Sequence, residues 1–436
     1  MADFIQPRVL KGFRDFLPAA EIERRDLIET IENSFRSYGF VPIDTPALEY
    51  AEILLGKGGG ETEKQIYRFK DNGERDVALR FDLTVPFARF MAEHRHELPL
   101  PFKRYHIAKA WRGENTQRGR YREFIQCDCD IVGSAGVAAD FEILLMLRNT
   151  LEPICPGGVA IHFNHRGLFN IFLERHGVLE KSVDILRIVD KLSKIGREET
   201  LKQLAECAGN KAEDILGYIE TQGTMEEKIR CMTEAATGGA SCAESECLNS
   251  IRRYMLDTGT ENSFVLDPSI TRGLDYYTGV VFESFLNEMP EIGSVGSGGR
   301  YDNLVGLYTK PNSGGALSGV GASIGIDRLI AALEALGKSR NRSSYAKIAI
   351  ACVAEANTGQ CQALAEKLRK RGIPCEVFLE EEKLPKQYQA AEKKGIKRLI
   401  IPNFEHPKYF TLRDLETRKN LEFSEDDLIA YVEEHA

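Results

Sequence analysis

The chain has 436 residues, more than one hydrophobic core of ordinary size needs, so two or three domains are expected. A hydrophobic fraction of 43% and a charged fraction of 28% are typical of a soluble globular protein, and no apolar run approaches the length of a membrane helix. The net charge of −9 excludes indiscriminate coating of nucleic acid but not local basic patches, and ten cysteines without a disulfide-like spacing indicate a reducing cytoplasm.

The N-terminal part of the chain is predicted to form a helix and then an extended segment. Leu27, Ile31, Phe35 and Tyr38 recur at helical spacing, and Gly39 is placed to end the helix. The next segment, FVPIDTPALE, contains prolines that suit an edge strand or a boundary.

Two antiparallel strand pairs are predicted next. After the glycine-rich loop GKGGGE (56–61), the segment IYRFKDNGERDVALRF reads as a hairpin with Asn72-Gly73 in its turn. Its second strand alternates, with Val77, Leu79, Phe81 and Leu83 on one side and Arg80, Asp82 and Thr84 on the other. Residues 102–133 read as a second pair around the polar loop GENTQRGRYRE.

The end of that second pair, FIQCDCDIVG (124–133), contains two cysteines that suggest a metal site. Structural zinc sites usually draw on CxxC spacings with a second pair nearby, and no CxxC occurs in this chain. Strand periodicity instead places Cys127 and Cys129 on one face, with Phe124, Gln126 and Asp128 on the other. We therefore expect buried thiols, a row of acceptors over an opening that continues to Asp130, and no metal ligands.

The rest of the chain divides into a helical region, a glycine-dense region and a C-terminal unit. Residues from about 165 to 255 are predicted helical and contain no recognisable chemical motif. Extended character returns at SITRGLDYYTGVVFESF, before glycine-dense segments and the predicted helix IDRLIAALEALG. After a polar linker at 338–346, strand and helix patterns alternate as βαβαβ, which predicts a small, separate, mainly parallel-sheet domain.

The segment GVGASIG (319–325) allows three interpretations. A dinucleotide site needs an acid at the end of a second strand about twenty residues on, where this chain has a polar linker. Close packing of a strand on a helix is the ordinary interpretation. The third is that the glycines let a ligand approach the backbone while Arg328 grips its phosphate oxygens.

Basic and acceptor side chains come from neighbouring strands of the predicted antiparallel sheet. The loop WRGENTQRGRYREF has two interpretations, an ordinary solvated turn or a phosphate site. The aromatic ring of Phe124 favours the second, because a base can stack on it. Together these side chains suit a polyphosphate next to a cationic amino acid. The basic group contains Arg112, Arg118, Arg120 and Arg122 with Glu114 among them, and the acceptors are Asp82, Thr84, Gln126 and Asp130.

With these residues, the chain resembles the histidyl-tRNA synthetases, a branch of the class II aminoacyl-tRNA synthetases, over nearly its whole length. Helix 21–38 with FVPIDTPALE is similar to motif 1, KAWRGENTQRGRYREFIQCDCDIVG to motif 2, and GVGASIGIDRL to motif 3. RGLDYYTG (272–279) resembles a peptide peculiar to the histidine enzymes, and RFDLT (80–84) resembles their amino-group-binding strand, with Asp for the more frequent Glu.

The resemblance implies a role for each matching residue. Arg272 would stand in for a catalytic metal at the carboxylate, and Arg328 would grip the ATP phosphates. Strict alternation would separate Tyr276 from Tyr277, although the family uses both in one pocket. The implied catalytic residues are Arg112, Arg272 and Arg328; the histidine-binding residues are Asp82, Leu83, Thr84, Arg112, Gln126, Asp130, Arg272, Tyr276 and Tyr277; the ATP-binding residues are Arg112, Glu114, Arg120, Phe124 and Arg328.

The resemblance also implies the architecture and the partners. We expect an α+β catalytic domain with a mainly antiparallel sheet over 1–337, including the helical insertion, a linker at 338–346, and an α/β anticodon-binding domain over 347–436. We expect a cytoplasmic homodimer without a prosthetic group. Its expected substrates are L-histidine, ATP with Mg²⁺, and tRNA(His).

Two alternatives stay open at this point. The regulatory subunit of ATP phosphoribosyltransferase shares the fold, but typically lacks the anticodon-binding domain and the RGLDYYTG pattern. A class II synthetase for another amino acid would not need the acidic pocket or the paired tyrosines.

Overall fold

The computed structural model describes residues 4–56, 61–155, 157–270, 276–310, 317–339, 342–355, 358–403, 405–406 and 408–435. They form two compact units, one made of residues 1–13 and 27–337 and the other of residues 14–26 and 338–436. Within these ranges, no helix is long and apolar enough to cross a membrane. Part of the predicted GKGGGE loop lies outside the described residues.

The first unit is built on a sheet whose inner pairings are antiparallel. The strands are β1 (Val41–Pro42), β2 (Leu48–Tyr50), β3 (Arg68–Lys70), β4 (Asp76–Leu79), β5 (Phe102–Trp111), β6 (Glu123–Val132), β7 (Val159–His165), β8 (Phe264–Leu266), β9 (Val280–Leu286), β10 (Gly296–Tyr301) and β11 (Gly319–Gly325). The main sheet has the order β1-β5-β6-β11-β10-β9-β7-β8, and β2-β4-β3 form a second sheet. Only the outermost pairs of the main sheet, β1–β5 and β7–β8, are parallel. The predicted mainly antiparallel sheet is confirmed.

The helices between residues 18 and 335 include the predicted helical region. They are α1 (Pro18–Ser37), α2 (Ala51–Leu55), α3 (Glu61–Gln65), α4 (Thr84–His94), α5 (Val137–Leu151), α6 (Arg166–Arg175), α7 (Ser182–Val189), α8 (Leu192–Ala208), α9 (Ala212–Ile219), α10 (Met225–Thr237), α11 (Ala243–Asp257) and α12 (Ile326–Ala335). The helical prediction for about 165–255 is confirmed by α6 to α11. The N-terminal helix and the helix after GVGASIG also form where their periodicity predicts.

Strand β6 shows how the sheet separates a dry face from a polar one. Cys127 and Cys129 are fully buried and belong to the main hydrophobic core with residues of α5 and α12. Burial raises the pKa of both thiols well above the ordinary cysteine value. The expected buried thiols are confirmed, and the opposite face of β6 carries Gln126, Asp128 and Asp130.

The predicted first hairpin forms, but its second strand is shorter than the alternation predicts. β3 pairs with β4 so that Arg68 lies opposite Ala78. The strand ends at Leu79, and α4 begins at Thr84, so the predicted two-sided alternation over 80–84 is wrong. The reason is local: the Asp82 carboxylate accepts the Val85 N–H at 3.0 Å and turns the chain into the helix.

The second unit has its own five-stranded sheet. Its elements are β12 (Ile348–Ile350), α13 (Thr358–Lys370), β13 (Cys375–Val377), α14 (Leu384–Lys393), β14 (Arg398–Pro402), β15 (Tyr409–Asp414), β16 (Asn420–Ser424) and α15 (Glu425–His435). The strand order is β13-β12-β14-β15-β16. The βαβαβ prediction is confirmed, with β13, β12 and β14 parallel. The antiparallel strands β15 and β16 extend the sheet beyond what the sequence pattern indicates.

Candidate active site

A cavity of about 310 Å³ opens on the polar face of the main sheet. Its walls come from the start of α4, the loop and strands of the β5–β6 pair, the segment before β9, and the junction of β11 with α12. Most of the sequence-predicted site residues line it: Asp82, Thr84, Arg112, Glu114, Arg120, Phe124, Gln126, Tyr276, Tyr277 and Arg328.

One end of the cavity has hydrogen-bonding side chains and two tyrosine rings. Asp82 is buried, and this burial raises the pKa of its carboxyl group. Thr84, at the start of α4, hydrogen-bonds Tyr276. The Tyr276 and Tyr277 rings meet edge to face, with centroids 5.0 Å apart. Acceptors and donors therefore surround a space with aromatic walls.

Both tyrosines face this cavity because they precede the strand. β9 begins at Val280, so strand alternation does not apply to residues 276 and 277. The segment is held to β10 by Thr278, whose N–H donates to the Arg300 carbonyl at 2.8 Å and whose hydroxyl donates to Asp302 at 2.6 Å. The separation predicted by strict alternation is therefore absent.

Arginines and an aromatic ring also line the cavity. The Arg112 Nε–H donates to the Phe81 carbonyl at 3.2 Å, and the guanidinium lies 4.4 Å from the Phe81 ring centroid and 5.0 Å from that of Phe124. Arg328, in the first turn of α12, donates to the Ser294 carbonyl. The Cα of Arg328 lies 3.0 Å from where a Cβ of Gly119 would be, so the β5–β6 loop packs directly on α12. Two fixed cations and a ring thus face the same space.

Five predicted residues do not line the cavity or cannot be placed, and one of them is Arg122, whose Nε–H donates to the Glu114 carbonyl at 3.2 Å. Leu83 is fully buried in the core at the N-terminus of α4. Asp130 lies beneath the floor, where it accepts the Tyr301 hydroxyl at 2.5 Å. Arg118 reaches the Ala331 carbonyl at 3.5 Å. Arg272 lies outside the described residues.

The glycines of β11 serve two purposes. A Cβ at Gly321 would lie 2.0 Å from Asp130 Oδ1, and one at Gly319 would lie 2.4 Å from the Tyr301 ring. These two positions therefore make room for protein side chains. Gly325 lines the cavity, and a Cβ there would meet its nearest atom at 3.8 Å. Only this last glycine fits the interpretation of room for a ligand.

Sequence reasoning missed the buried groups behind the floor. Arg104 is completely buried and forms an ion pair with Asp130 at 2.6 Å. Arg104 lies opposite Asp130, and His106 opposite Asp128, across the β5–β6 pair. Alternation in KRYHIAKAW could have placed both basic residues on the acidic face. The register between the strands, which sequence alone does not show, decides which residues meet.

The titratable groups of this floor have pKa values shifted from their ordinary values. Burial raises the pKa of Asp128 to about 7, partly offset by attraction to Arg104, while Asp130 repels the second charge. Burial also raises the pKa of Asp130, opposed by Arg104 and by the Tyr301 hydrogen bond. On β5, burial and the nearby arginines lower the pKa of His106 to about 4. The floor therefore holds several acids and a neutral histidine around one buried guanidinium.

Comparisons with known proteins agree with this geometry. Residues 12–329 match the family model described as histidyl-tRNA synthetase, and residues 347–435 match that of an anticodon binding domain. A histidine–tRNA ligase of Treponema denticola is 52% identical over 403 residues, covering 91% of this chain and 89% of the relative. One from Rhodopirellula baltica is 47% identical over 402 residues, covering 91% and 90%.

A crystal structure of histidyl-tRNA synthetase from Nostoc sp. PCC 7120 has a similar fold. The TM-score is 0.88 at 28% identity, over 99% of this chain and all of the other. A structure from Bacillus halodurans, described as an ATP phosphoribosyltransferase regulatory subunit/histidyl-tRNA synthetase, has a TM-score of 0.72 at 18% identity over 92% of this chain and 99% of the other. That likeness concerns the fold alone.

Proposed function

The chain belongs to the histidyl-tRNA synthetase family and is a histidine–tRNA ligase, and from that premise we propose that the cavity is where histidine and ATP react. The single observation that supports this location is that one cavity is lined by hydrogen-bond acceptors, the paired tyrosines and three arginines, Arg112, Arg120 and Arg328. The regulatory-subunit alternative is not favoured, because the close relatives over most of the chain are ligases.

Histidine would occupy the end with the acceptors. Asp82 and Thr84 suit its α-ammonium, since the carboxylate and the hydroxyl oxygen both accept hydrogen bonds. Gln126 and the paired tyrosines suit the imidazole, which has both a donor and an acceptor nitrogen. The histidine carboxylate would then point toward Arg112, whose guanidinium can hold two oxygens at once.

ATP would occupy the arginine end. The Phe124 ring offers a stacking surface for adenine, with Glu114 and Arg120 beside it in the cavity wall. Arg328 projects from α12 where the phosphates would lie, and its contact with the Ser294 carbonyl holds the guanidinium in place. In this arrangement the α-phosphate lies next to the histidine carboxylate.

Catalysis would come from fixed charge and positioning. Attack of the histidine carboxylate on the α-phosphate brings two anions together and places negative charge on a pentavalent phosphorus. Arg112 and Arg328 can stabilise that charge without reorganising, since their guanidinium groups are already packed. We assign the third catalytic cation to Arg272, on the family resemblance. Release of pyrophosphate leaves histidyl-adenylate; a hydroxyl of the terminal ribose of tRNA(His) then attacks its carbonyl carbon, and AMP leaves as the histidyl ester forms.

Magnesium would accompany ATP and would supply positive charge that offsets the charge of its phosphates. The cavity wall includes the carboxyl groups of Glu114, Glu283 and Asp327, which can complete the coordination of such an ion. No three His, Cys, Asp or Glu side chains within the described ranges form a metal site by themselves. This donor set fits a magnesium ion held mainly by the nucleotide.

The second unit would bind tRNA, and we propose a cytoplasmic homodimer as the working form. The basic segments at 367–371 and 393–398 suit a phosphate backbone, although neighbouring acids offset part of their charge, as in the pairs Lys367–Glu425 and Arg371–Glu433. Phe4, Ile5 and Leu10 are largely exposed and give a second copy an apolar surface to cover. All ten cysteines are free thiols, which suits a reducing compartment.

Kinetics of ATP–pyrophosphate exchange test the two ends separately. Gln126→Ala should raise the KM for histidine by roughly tenfold or more and leave the KM for ATP unchanged, since it removes a hydrogen bond to the amino acid alone. Arg328→Ala should lower kcat and weaken ATP. Arg187→Ala, which changes an exposed arginine of the helical region, is the control and should change neither constant. The location is wrong if Gln126→Ala and Arg187→Ala behave alike.

A further inference from the structure

Thr278 and Gly279 form the short connection between the paired tyrosines and strand β9. Tyr276 and Tyr277 line the cavity, and β9 begins at Val280. The regular ladder of β9 therefore begins only after the two rings. Contacts of the connection itself have to hold the rings in place.

Thr278 is hydrogen-bonded to the end of strand β10 and to the residue after it. Its N–H donates to the Arg300 carbonyl at 2.8 Å, and its hydroxyl donates to an Asp302 carboxylate oxygen at 2.6 Å. The same hydroxyl accepts the Asp302 N–H at 3.2 Å. One hydroxyl therefore fastens the connection to Asp302 as both a donor and an acceptor.

Close packing against β10 adds to these hydrogen bonds. A Cβ at Gly279 would lie 3.0 Å from Arg300 Cδ, so the backbone of the connection rests on the aliphatic stem of that arginine. A Cβ at Gly299 would lie 2.9 Å from Tyr277 Cδ1, so the ring rests on the backbone of β10. Tyr277 and the two residues after it are thus all in contact with this strand.

The Arg300 side chain is itself fixed by groups from other elements. It is buried, and its Nε–H donates to the Asp140 carboxylate, on α5, at 2.8 Å. Its Nη1 donates to the Ser134 carbonyl at 3.1 Å and to the Ser318 hydroxyl. The same Nη1 lies 3.5 Å from the Asp302 carboxylate, to which Ser318 also donates. The guanidinium therefore ties β10 to the start of α5 and to the segment before β11.

Stability alone does not account for the buried Asp140–Arg300 ion pair. Removing two charges from water is costly, and apolar residues of the same size often stabilise a core as well. The planar guanidinium instead fixes geometry, because it directs several N–H groups at partners in set directions. Asp140, Arg300 and Asp302 form a connected unit, which we call the Arg300 anchor, and Thr278 attaches this unit directly behind the tyrosines.

On the proposed placement of histidine in this cavity, we propose that the Arg300 anchor positions the Tyr276–Tyr277 pair through Thr278 and thereby sets the affinity for histidine. Its three residues, all within the described part of the chain, lie outside the cavity wall. They are positioning residues, which act on the substrate only through the rings. Because the placement of the rings decides how well the amino acid fits, a small displacement of the connection should weaken histidine binding and leave the contacts of ATP intact.

Substitutions of Thr278 in the full-length protein test the connection with little change in volume. Thr278→Val removes the hydroxyl and should raise the KM for histidine in ATP–pyrophosphate exchange about fivefold or more, with the KM for ATP within about twofold of wild type. Thr278→Ser keeps the hydroxyl and should restore a histidine KM close to that of the wild type. An unchanged histidine KM in Thr278→Val overturns the proposal.

Thr150→Val is the matched control. It removes a buried hydroxyl of α5 that is hydrogen-bonded to the Ser34 hydroxyl and to the Met146 carbonyl, both at 2.7 Å. The loss of a buried hydroxyl is thus the same, but the position is not connected to the tyrosines. Both KM values should stay as in the wild type. A histidine KM raised equally in Thr150→Val and Thr278→Val would contradict the proposal.

A double-mutant cycle separates an action through this contact from a general loss of structure. Asp302→Ala should raise the histidine KM at least as much as Thr278→Val does. Adding Thr278→Val to Asp302→Ala should then raise it by no more than about twofold, because the partner of the hydroxyl is already gone. Two effects that multiply in the double variant would contradict the proposal.

Asp140→Asn tests the member of the anchor that belongs to α5. It keeps an oxygen that accepts from Arg300 but removes the charge, so the histidine KM should rise about threefold or more. The melting temperature of each variant is measured beside the kinetics. A lower melting temperature with an unchanged histidine KM would mean that the anchor serves the fold alone, and it would overturn the proposal.

The same assays separate this inference from the proposed site. If Gln126→Ala raises the histidine KM while Thr278→Val does not, the site stands and the role of the anchor falls. If neither variant changes the histidine KM, histidine binds elsewhere and both proposals fall.

Discussion

At the scale of single residues, three buried carboxyl groups on the polar face differ in how the protein treats them. Asp82 caps the first turn of α4 through the Val85 N–H, and Asp130 is held by Arg104 and Tyr301. In the described structure Asp128 Oδ1 accepts no hydrogen bond, and neither does Asp130 Oδ2, although the latter lies 2.6 Å from Arg104. Burial raises the pKa of Asp128 to about 7, so its ionised form lowers the stability of the folded state at neutral pH.

Burial of the Asp128 carboxyl group should make the stability of the protein depend on pH. Its pKa rises from 3.8 to about 7 in the folded protein, so the folded state holds the proton more tightly than the unfolded chain. The free energy of unfolding should therefore fall as pH rises from about 4 through about 7, because the folded protein must give up this proton. Asp128→Asn lacks this loss, so its melting temperature relative to wild type should increase between pH 5 and pH 8. A difference that is constant with pH would contradict the assignment.

The buried thiols of β6 lead to a second prediction at this scale. Cys127→Ser places a hydroxyl in an apolar layer and should lower the free energy of unfolding by about 1–3 kcal/mol, measured by urea denaturation. Cys231→Ser is the matched control, because Cys231 is exposed on α10 and its replacement should change stability little. Equal effects of the two substitutions would mean that the Cys127 side chain is not in the core.

At the scale of elements, strand periodicity predicted which residues of one strand share a face. It did not predict which residues of two neighbouring strands lie opposite each other. The alternation in FIQCDCDIVG placed the cysteines and the acids on opposite faces of the strand, as the structure shows. It could not show that Arg104 of β5 lies opposite Asp130, since that pairing depends on the register between strands. It also failed over 80–84 and at the tyrosines, because side-chain hydrogen bonds turn the chain there.

Strand β11 gives a prediction about this packing. Gly321→Ala would place its Cβ 2.0 Å from Asp130 Oδ1 and 2.8 Å from the Cys129 carbonyl oxygen, so the floor must shift. We expect a loss of about 1–3 kcal/mol in the free energy of unfolding together with a raised histidine KM. Gly217→Ala is the control: it lies within α9, its Cβ would meet no atom within 4 Å, and alanine favours the helix, so stability should rise by about 0.5–1 kcal/mol. Destabilisation by both substitutions alike would contradict the packing described for the floor.

At the scale of the whole molecule, basic residues are grouped in places where the proposed function requires positive charge. The net charge is −9, yet arginines line the cavity, and basic segments lie in the second unit. The sequence motifs alone predicted the family, the mixed architecture and ten of the residues that line the cavity, because class motifs keep local spacing. Which buried charged groups meet beneath the floor depends on contacts between strands distant in sequence, and only the structure contains them.

The measurement that tests the central account most directly is ATP–pyrophosphate exchange run with each of the standard amino acids in turn, on the wild-type protein and on Gln126→Ala. Exchange reports adenylate formation without tRNA, so it isolates the chemistry of the cavity. We predict that L-histidine alone supports exchange in the wild type, and that Gln126→Ala needs at least tenfold more histidine for the same rate with ATP saturation unchanged. Exchange supported by another amino acid, or a Gln126→Ala variant that saturates with histidine as the wild type does, would contradict the account.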